Sequence, residues 1–122
     1  MRFLVVDSSP TMRRTLINTL NSLGFEEITE AEDGQDALSK LQSDKFDLIV
    51  TGWNMPNMNG LDLTKAIRAS ESWKHIPIIM ISERSLKEDV LEAIQAKVDG
   101  YILKPFSPQV LYEKIIAVSK GN

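Results

Sequence analysis

The chain has 122 residues, 43% of them hydrophobic and 25% charged, the size and balance of one folded domain with a real core rather than a disordered segment. Lys and Arg number 14 against 17 Asp and Glu, a formal charge of −3, so no basic surplus exists to hold a phosphate backbone and nucleic-acid binding is set aside. Cysteine is absent, which removes disulfides, thiolate metal sites and a thiol nucleophile; no apolar run approaches the ~20 residues of a membrane span, and the apolar start at Met1–Val6 is far shorter than a signal-peptide core.

In chain order, short apolar runs alternate with segments of helical period. Phe3-Leu4-Val5-Val6 predicts a first strand ending at Asp7. Met12, Leu16, Leu20 and Leu23 share one helical stripe, and Gly24 follows as a stop. Glu27-Ile28-Thr29-Glu30-Ala31 is a weaker, more polar strand, as at a sheet edge. Ala37, Leu38 and Leu41 mark a short second helix, and Leu48-Ile49-Val50 the third strand. Leu63, Ala66 and Ile67 mark a third helix entered after Asn59-Gly60. Ile76 to Ile81 predicts the fourth strand, and Ser85-Leu86-Lys87-Glu88 reads as a capping box before the apolar Val90, Leu91 and Ile94. Tyr101-Ile102-Leu103 is the fifth strand, and Ser107-Pro108 opens a last helix carrying Leu111, Ile115 and Val118.

Continuous apolar runs without strict alternation mean strands covered on both faces. Five β-α repeats with such strands predict a parallel α/β sheet with right-handed crossovers. No internal repeat, linker or low-complexity tract divides the chain, so residues 1–122 are expected to form a single domain. Ligands of open parallel sheets bind beyond the carboxyl ends of the strands. Those ends hold Asp7-Ser8, Thr51-Gly52, Ser82 and Lys104-Pro105.

Phe3 to Asp7 followed by Thr11-Met12-Arg13-Arg14, then Ala31-Glu32-Asp33-Gly34, Trp53 to Gly60, and Gly100 to Phe106 together resemble the response-regulator receiver family of chemotaxis type. The likeness runs over essentially the whole chain, and the combination is specific although each piece alone is weak. It implies the flavodoxin-like (βα)5 fold with a five-stranded parallel sheet in the order 2-1-3-4-5. It also implies one reaction: a carboxylate at the end of the third strand takes a phosphoryl group from a His kinase, with Mg2+ held by oxygens. That chemistry needs a nucleophilic carboxylate, a hard cation, and donors for the phosphoryl oxygens.

The chain departs from that pattern at two places. The position where the resemblance expects the phosphoacceptor is Gly52, which has no side chain to phosphorylate. The second of two acidic positions after the first strand is Ser8. One carboxylate has little charge with which to hold Mg2+, so the expected metal set of Asp7, Ser8 and the backbone oxygen of Asn54 is a weakened remnant, and Mg2+ binding is expected to be weak or absent. Ser82 and Lys104, which the resemblance assigns to the phosphoryl oxygens, remain.

Each of these residues also has a plainer reading. Asp7 is either a remnant metal ligand or a strand-end carboxylate paired with Lys104, and the pair is favoured because an unpaired, partly buried charge is costly. Ser82 and Lys104 either capture an oxyanion without covalent chemistry or persist as fold residues. Lys104-Pro105 resembles the family's cis-proline turn. Tyr101 resembles the family's switch aromatic, and Trp53 and Asn54 flank the former acceptor. The partner face implied combines the fourth helix, fifth strand and last helix, with Lys87, Tyr101, Tyr112 and Lys114 as candidates. A lone His75 carries no role, Met55, Met58 and Met80 are packing residues, and Asp33, Asp36, Asp44 and Asp47 are capping candidates.

The function expected is therefore that of a cytoplasmic, monomeric signalling domain, not an enzyme, which docks a His kinase and a target of motor-switch type and is not phosphorylated at position 52. Two alternatives stay open: an otherwise active, Mg2+-dependent regulator disabled by substitution at Gly52 and Ser8, and, more remotely, a flavodoxin-like cofactor binder. The first loop, Asp7 to Thr11, lacks the hydroxyl- and Gly-rich character of a flavin-phosphate loop.

Overall fold

A computed structural model describes residues 1–120. The elements run β1 (Arg2–Val6), α1 (Pro10–Ser22), β2 (Glu27–Ala31), α2 (Gly34–Ser43), β3 (Leu48–Thr51), α3 (Gly60–Arg68), β4 (Ile78–Ser82), α4 (Lys87–Gln95), β5 (Gly100–Leu103) and α5 (Pro108–Lys120). All strand pairings are parallel and the order is β2-β1-β3-β4-β5. The expected doubly wound sheet is thus present, with the polar Glu27–Ala31 strand at one edge.

The strands look continuously apolar because their two faces pack into different cores. Phe3 and Val5 face one cluster with Leu16 and Leu20 of α1 and Leu111 and Ile115 of α5. Leu4 and Val6 face the other, with Ala37 and Leu41 of α2 and Leu63 and Ile67 of α3. Each large aliphatic side chain fully buried in this way contributes about 1.5–3 kcal/mol. A third cluster joins Trp53, Leu61, Met80, Ala93 and Ala96 beneath α4.

Helix starts follow local chemistry. Ser9 accepts the Met12 N–H at 3.1 Å, Asp33 that of Asp36 at 2.8 Å, Asn59 that of Asp62 at 2.8 Å and Ser107 that of Val110 at 3.2 Å. Each bond satisfies one of the donors that a helix N-terminus otherwise leaves orphaned.

Helix α4 departs from expectation. Leu86, not Ser85, is its N-cap, and no side chain caps it. The backbone closes the turn instead, with the Asp89 and Val90 N–H groups donating to the Leu86 carbonyl. Its apolar residues also face outward: Leu91 is 45% and Ile94 55% exposed, and only Ala93 is buried within the helix. The Leu91 and Ile94 spacing marks a surface and not a core stripe. Strand β4 starts at Ile78, two residues later than the apolar run, because Ile76 and Pro77 belong to the approach.

Candidate functional site

The strand order places the carboxyl ends of β1, β3, β4 and β5 side by side. The residues just beyond or at those ends converge on a cleft of about 240 Å3 lined by Asp7, Ser8, Gly52, Trp53, Asn54, Ile81, Ser82, Glu83 and Lys104. Of the strand-end residues, Asp7, Ser8, Gly52, Ser82 and Lys104 thus meet in one cleft; Asn54, named by the resemblance, lines it too, as does Glu83, which neither had singled out.

Asp7 is buried and well held. Its Oδ1 accepts the Ser9 N–H at 2.9 Å, its carbonyl accepts Arg13 Nη1 at 2.6 Å, and its own N–H donates to Ala31. Oδ2 stands 4.0 Å from Lys104 Nζ, so the pair favoured by the sequence exists at long range. Gly52 is buried beside it: its N–H donates to the Val6 carbonyl at 2.9 Å, and its carbonyl accepts the Thr51 hydroxyl at 2.9 Å. Ser8 is exposed at the rim. Lys104 N–H donates to the Ser82 carbonyl at 2.9 Å, which holds the β5 end against β4, and the Lys104-Pro105 peptide is cis.

A second group adjoins the cleft. Trp53 is only 5% exposed. The Arg84 guanidinium carbon lies 4.6 Å above its ring, and Tyr101 meets it edge-on at 6.4 Å. Arg84 Nη2 donates to Asn54 Oδ1 at 2.9 Å, and Nη1 lies 3.6 Å from Asp89 Oδ1. The Arg84 N–H donates to Ser82 Oγ at 3.0 Å, and the Tyr101 hydroxyl donates to the Arg84 carbonyl at 2.7 Å. Sequence reasoning gave Arg84 no role. Its partners lie 2 to 31 positions away, and no local spacing announces them.

Tyr101 sits at the inner margin of a partly apolar surface. Leu86, Leu91 and Ile94 from the α4 region, Leu103 from β5, and Val110 and Tyr112 from α5 are all exposed. Lys87 is exposed at the start of α4, and Lys114 is half-buried on α5. His75 is exposed, and Trp73 packs at the margin of the second core.

Comparison with known proteins decides the family. The model of the response regulator receiver domain matches residues 3–116. The chain belongs to the response-regulator receiver family. It is 50% identical over 115 residues to chemotaxis protein CheY of Pseudomonas aeruginosa, covering 94% of this chain and 93% of that one. Chemotaxis protein CheY1 of Helicobacter pylori J99 is 51% identical over 123 residues, covering 100% and 99%. Among solved structures, chemotaxis protein CheY4 of Vibrio cholerae superposes with a TM-score of 0.88 at 34% identity, covering 96% of this chain and 97% of that one. A sensor histidine kinase receiver domain from Pseudomonas aeruginosa, described with a magnesium ion coordinated in its active-site cleft, has a TM-score of 0.88 at 27% identity, covering 98% and 97%. This chain is thus a CheY-type receiver of two-component signalling, a signalling domain and not a classical enzyme.

Receivers bind Mg2+ as a family, but the donors of this cleft fit the ion poorly. The described residues contain no cluster of three or more His, Cys, Asp or Glu able to hold a metal. Of the oxygens expected to face the ion, Asp7 Oδ1 is engaged by Ser9 and Oδ2 faces an ammonium group, while Ser8 offers a neutral hydroxyl. Mg2+ demands near-octahedral oxygen coordination with carboxylate charge behind it.

Proposed function

We propose that this receiver is uncoupled from phosphotransfer and acts by protein–protein contact, in the cytoplasm and as a monomer, with a His kinase and a target of motor-switch type. The observation that carries the reading is the pair Asp7 and Gly52. The residue that follows β3 at the centre of the cleft has no side chain, and the remaining carboxylate turns toward that space, facing Lys104. A phosphoryl acceptor needs an accessible nucleophile oriented toward its donor; Asp7 is buried and hydrogen-bonded. Ser82 and Lys104 then serve the loop and the ion pair rather than a phosphoryl group.

The absent phosphoryl removes a lever. A ligand shifts a conformational equilibrium only by its differential affinity for the two states. Without that ligand the partner face is set by the chain itself. The groove that Val90 of α4, Tyr101 and Leu103 of β5, Phe106, and Val110 of α5 line together supports partner contact there, because apolar surface gathered in one place on a small domain commonly marks an interaction site.

The test is intact-mass spectrometry after incubation with Mg2+ and a small acyl phosphate. No phosphoryl adduct is expected; an adduct overturns the reading and directs attention to Ser8 or Asp7. A second reading draws on the intact remainder of the site: Ser82 and Lys104 still line the cleft and are parts a working regulator needs. On that reading the chain is a site-disabled form of an active regulator, and Gly52→Asp with Ser8→Asp gives a protein that accepts phosphoryl.

A further inference from the structure

Arg84 joins more elements than any family expectation assigned to it. Its guanidinium carbon lies 4.6 Å over the Trp53 ring, the group donates to Asn54, both from the segment after β3, and it reaches Asp89 in the first turn of α4. Its backbone is pinned on both sides: the N–H to Ser82 at the end of β4, the carbonyl to the Tyr101 hydroxyl of β5. We propose that Arg84 is a built-in latch, whose guanidinium holds the β4–α4 loop down on Trp53 and thereby keeps Tyr101 in its inner, hydrogen-bonded position without any ligand in the cleft. The inference rests on the reading of the chain as uncoupled from phosphotransfer, and says what fixes the partner face in place of the phosphoryl group.

The chemistry suits arginine and not lysine. A planar guanidinium stacks on an indole face while its edge donates in the ring plane, whereas an ammonium is a compact point charge without that fork. Its Nε makes no hydrogen bond, so the group is held by its face and by the two terminal nitrogens. Trp53 then has the cation over its face and the Tyr101 ring, set at 85° to it, as a second neighbour 6.4 Å away. Moving Tyr101 outward breaks its hydroxyl bond and uncovers Trp53. Lifting the loop removes the acceptor of Tyr101 and the cation together. Opening is therefore a concerted event, the form a two-position element takes in a packed structure.

The acid facing the guanidinium is Asp89, at 3.6 Å with Arg84 39% and Asp89 18% exposed. That contact weakens with salt, but the stack and the Asn54 bond do not depend on it, so the latch holds at moderate ionic strength. Lys104 and Asp7 face each other, whereas the guanidinium engages Asn54, Asp89 and Trp53, so the latch can be opened without disturbing the cleft pair.

The experiment places Trp53 alone by Trp73→Phe, since the chain has two tryptophans. Arg84→Ala, Arg84→Lys and Tyr101→Phe are then compared with this parent by acrylamide quenching of Trp53 and by NMR relaxation dispersion at the amides of residues 82–86 and 101. Arg84→Ala is expected to raise the open-loop population by roughly tenfold through loss of the stack and the charged hydrogen bond, seen as new exchange at those amides and stronger quenching. Arg84→Lys is expected to show the same exchange at a lower level, and Tyr101→Phe to show it at Arg84. Unchanged quenching and dispersion in Arg84→Ala overturn the latch. If that variant does not fold, the absence of new exchange in Arg84→Lys overturns it equally. Incubation of the parent with acyl phosphate is a separate arm: an adduct defeats the uncoupled reading, while the dispersion comparison still decides the latch.

Discussion

The Asp7 carboxylate stands where a side chain at position 52 has to go: a Cβ placed on Gly52 lies 2.8 Å from Asp7 Oδ2. The Asp7 carboxylate thus takes up the space beside Gly52 while its Oδ2 faces Lys104. Installing carboxylates by Gly52→Asp and Ser8→Asp must push Asp7 aside and crowd three like charges into one small cleft, which disfavours their ionised forms. Two charges about 4 Å apart cost up to ~4 kcal/mol at the effective dielectric of a protein surface, partly offset by the ~0.5–1 kcal/mol that replacing glycine saves in the unfolded chain. The double variant is expected to be about 1–3 kcal/mol less stable than this chain in chelator, and to recover on adding Mg2+. The chain itself should melt at the same temperature with and without Mg2+. Parallel melts check both; a marked Mg2+ stabilisation of the unaltered chain contradicts the argument.

Gly60 sets how closely α3 approaches the cleft. A Cβ there would run into the Gly52 carbonyl oxygen and lie 3.2 Å from the Trp53 Cα. Both obstacles are backbone, which cannot rotate away as a side-chain end can. Gly60→Ala is expected to cost ~3 kcal/mol or more, in the range of severe overpacking, and to shift Trp53 emission because the segment carrying Trp53 must move. Urea unfolding measures the first effect and fluorescence the second. A loss below about 1 kcal/mol, no more than an ordinary surface change, means the loop yields where this geometry says it does not.

Most of the fold was legible because strand and helix periods differ and the strands bury both faces, so Phe3–Val6, Leu48–Val50 and, two residues too early at its start, Ile76–Ile81 could be read as interior strands. The strand-end rule then gave the cleft, since parallel order alone makes Asp7, Gly52, Ser82 and Lys104 neighbours. What the sequence could not carry was direction and distance. Leu91 and Ile94 have the spacing of a core stripe but lie on the outer side of α4, because Ala93 is the residue that meets Met80 and Trp53. Ser85 has capping-box spacing, yet the turn closes through the Leu86 carbonyl instead. Arg84 is one arginine among several until folding brings Asn54, Asp89 and Tyr101 to it. The Asp7 approach to Gly52 likewise depends on side-chain orientation between residues 45 positions apart, which no periodicity encodes.

Asp33 joins the loop before α2 to the loop before α3. Its Oδ1 caps α2 and its Oδ2 accepts Asn57 Nδ2 at 2.7 Å. The Asp36 backbone N–H, and then the Asn57 amide, hold its carboxyl below the ordinary value of 3.8, against the opposing effect of burial. A carboxylate with a lowered folded value stabilises above its unfolded value, and that contribution is lost as pH falls through the folded one. Asp33→Ala should cost about 1–2 kcal/mol at neutral pH, as for loss of a strong helix cap. Asp33→Asn keeps a capping oxygen and should cost less. The advantage of the unaltered chain over Asp33→Asn should shrink as pH is taken below about 3.8. Urea titrations at neutral and acid pH measure the gap, and a gap independent of pH removes the charge from the account.

Lys97 follows the C-cap of α4 with φ at 76°, a left-handed conformation in which a Cβ is crowded and glycine is not. Its carbonyl accepts Arg68 Nε at 3.0 Å; that bond is to the backbone and survives any side-chain change. Lys97→Gly should stabilise the domain by about 0.5–1 kcal/mol, the relief of left-handed strain less the greater freedom of glycine in the unfolded chain. Lys97→Ala is the control, since it removes the long side chain but keeps the crowded Cβ, and it should gain nothing. Equal stabilisation by both variants would trace the effect to the lysine side chain; a gain from glycine alone assigns it to the backbone at the end of α4, the helix that carries the exposed Leu91 and Ile94.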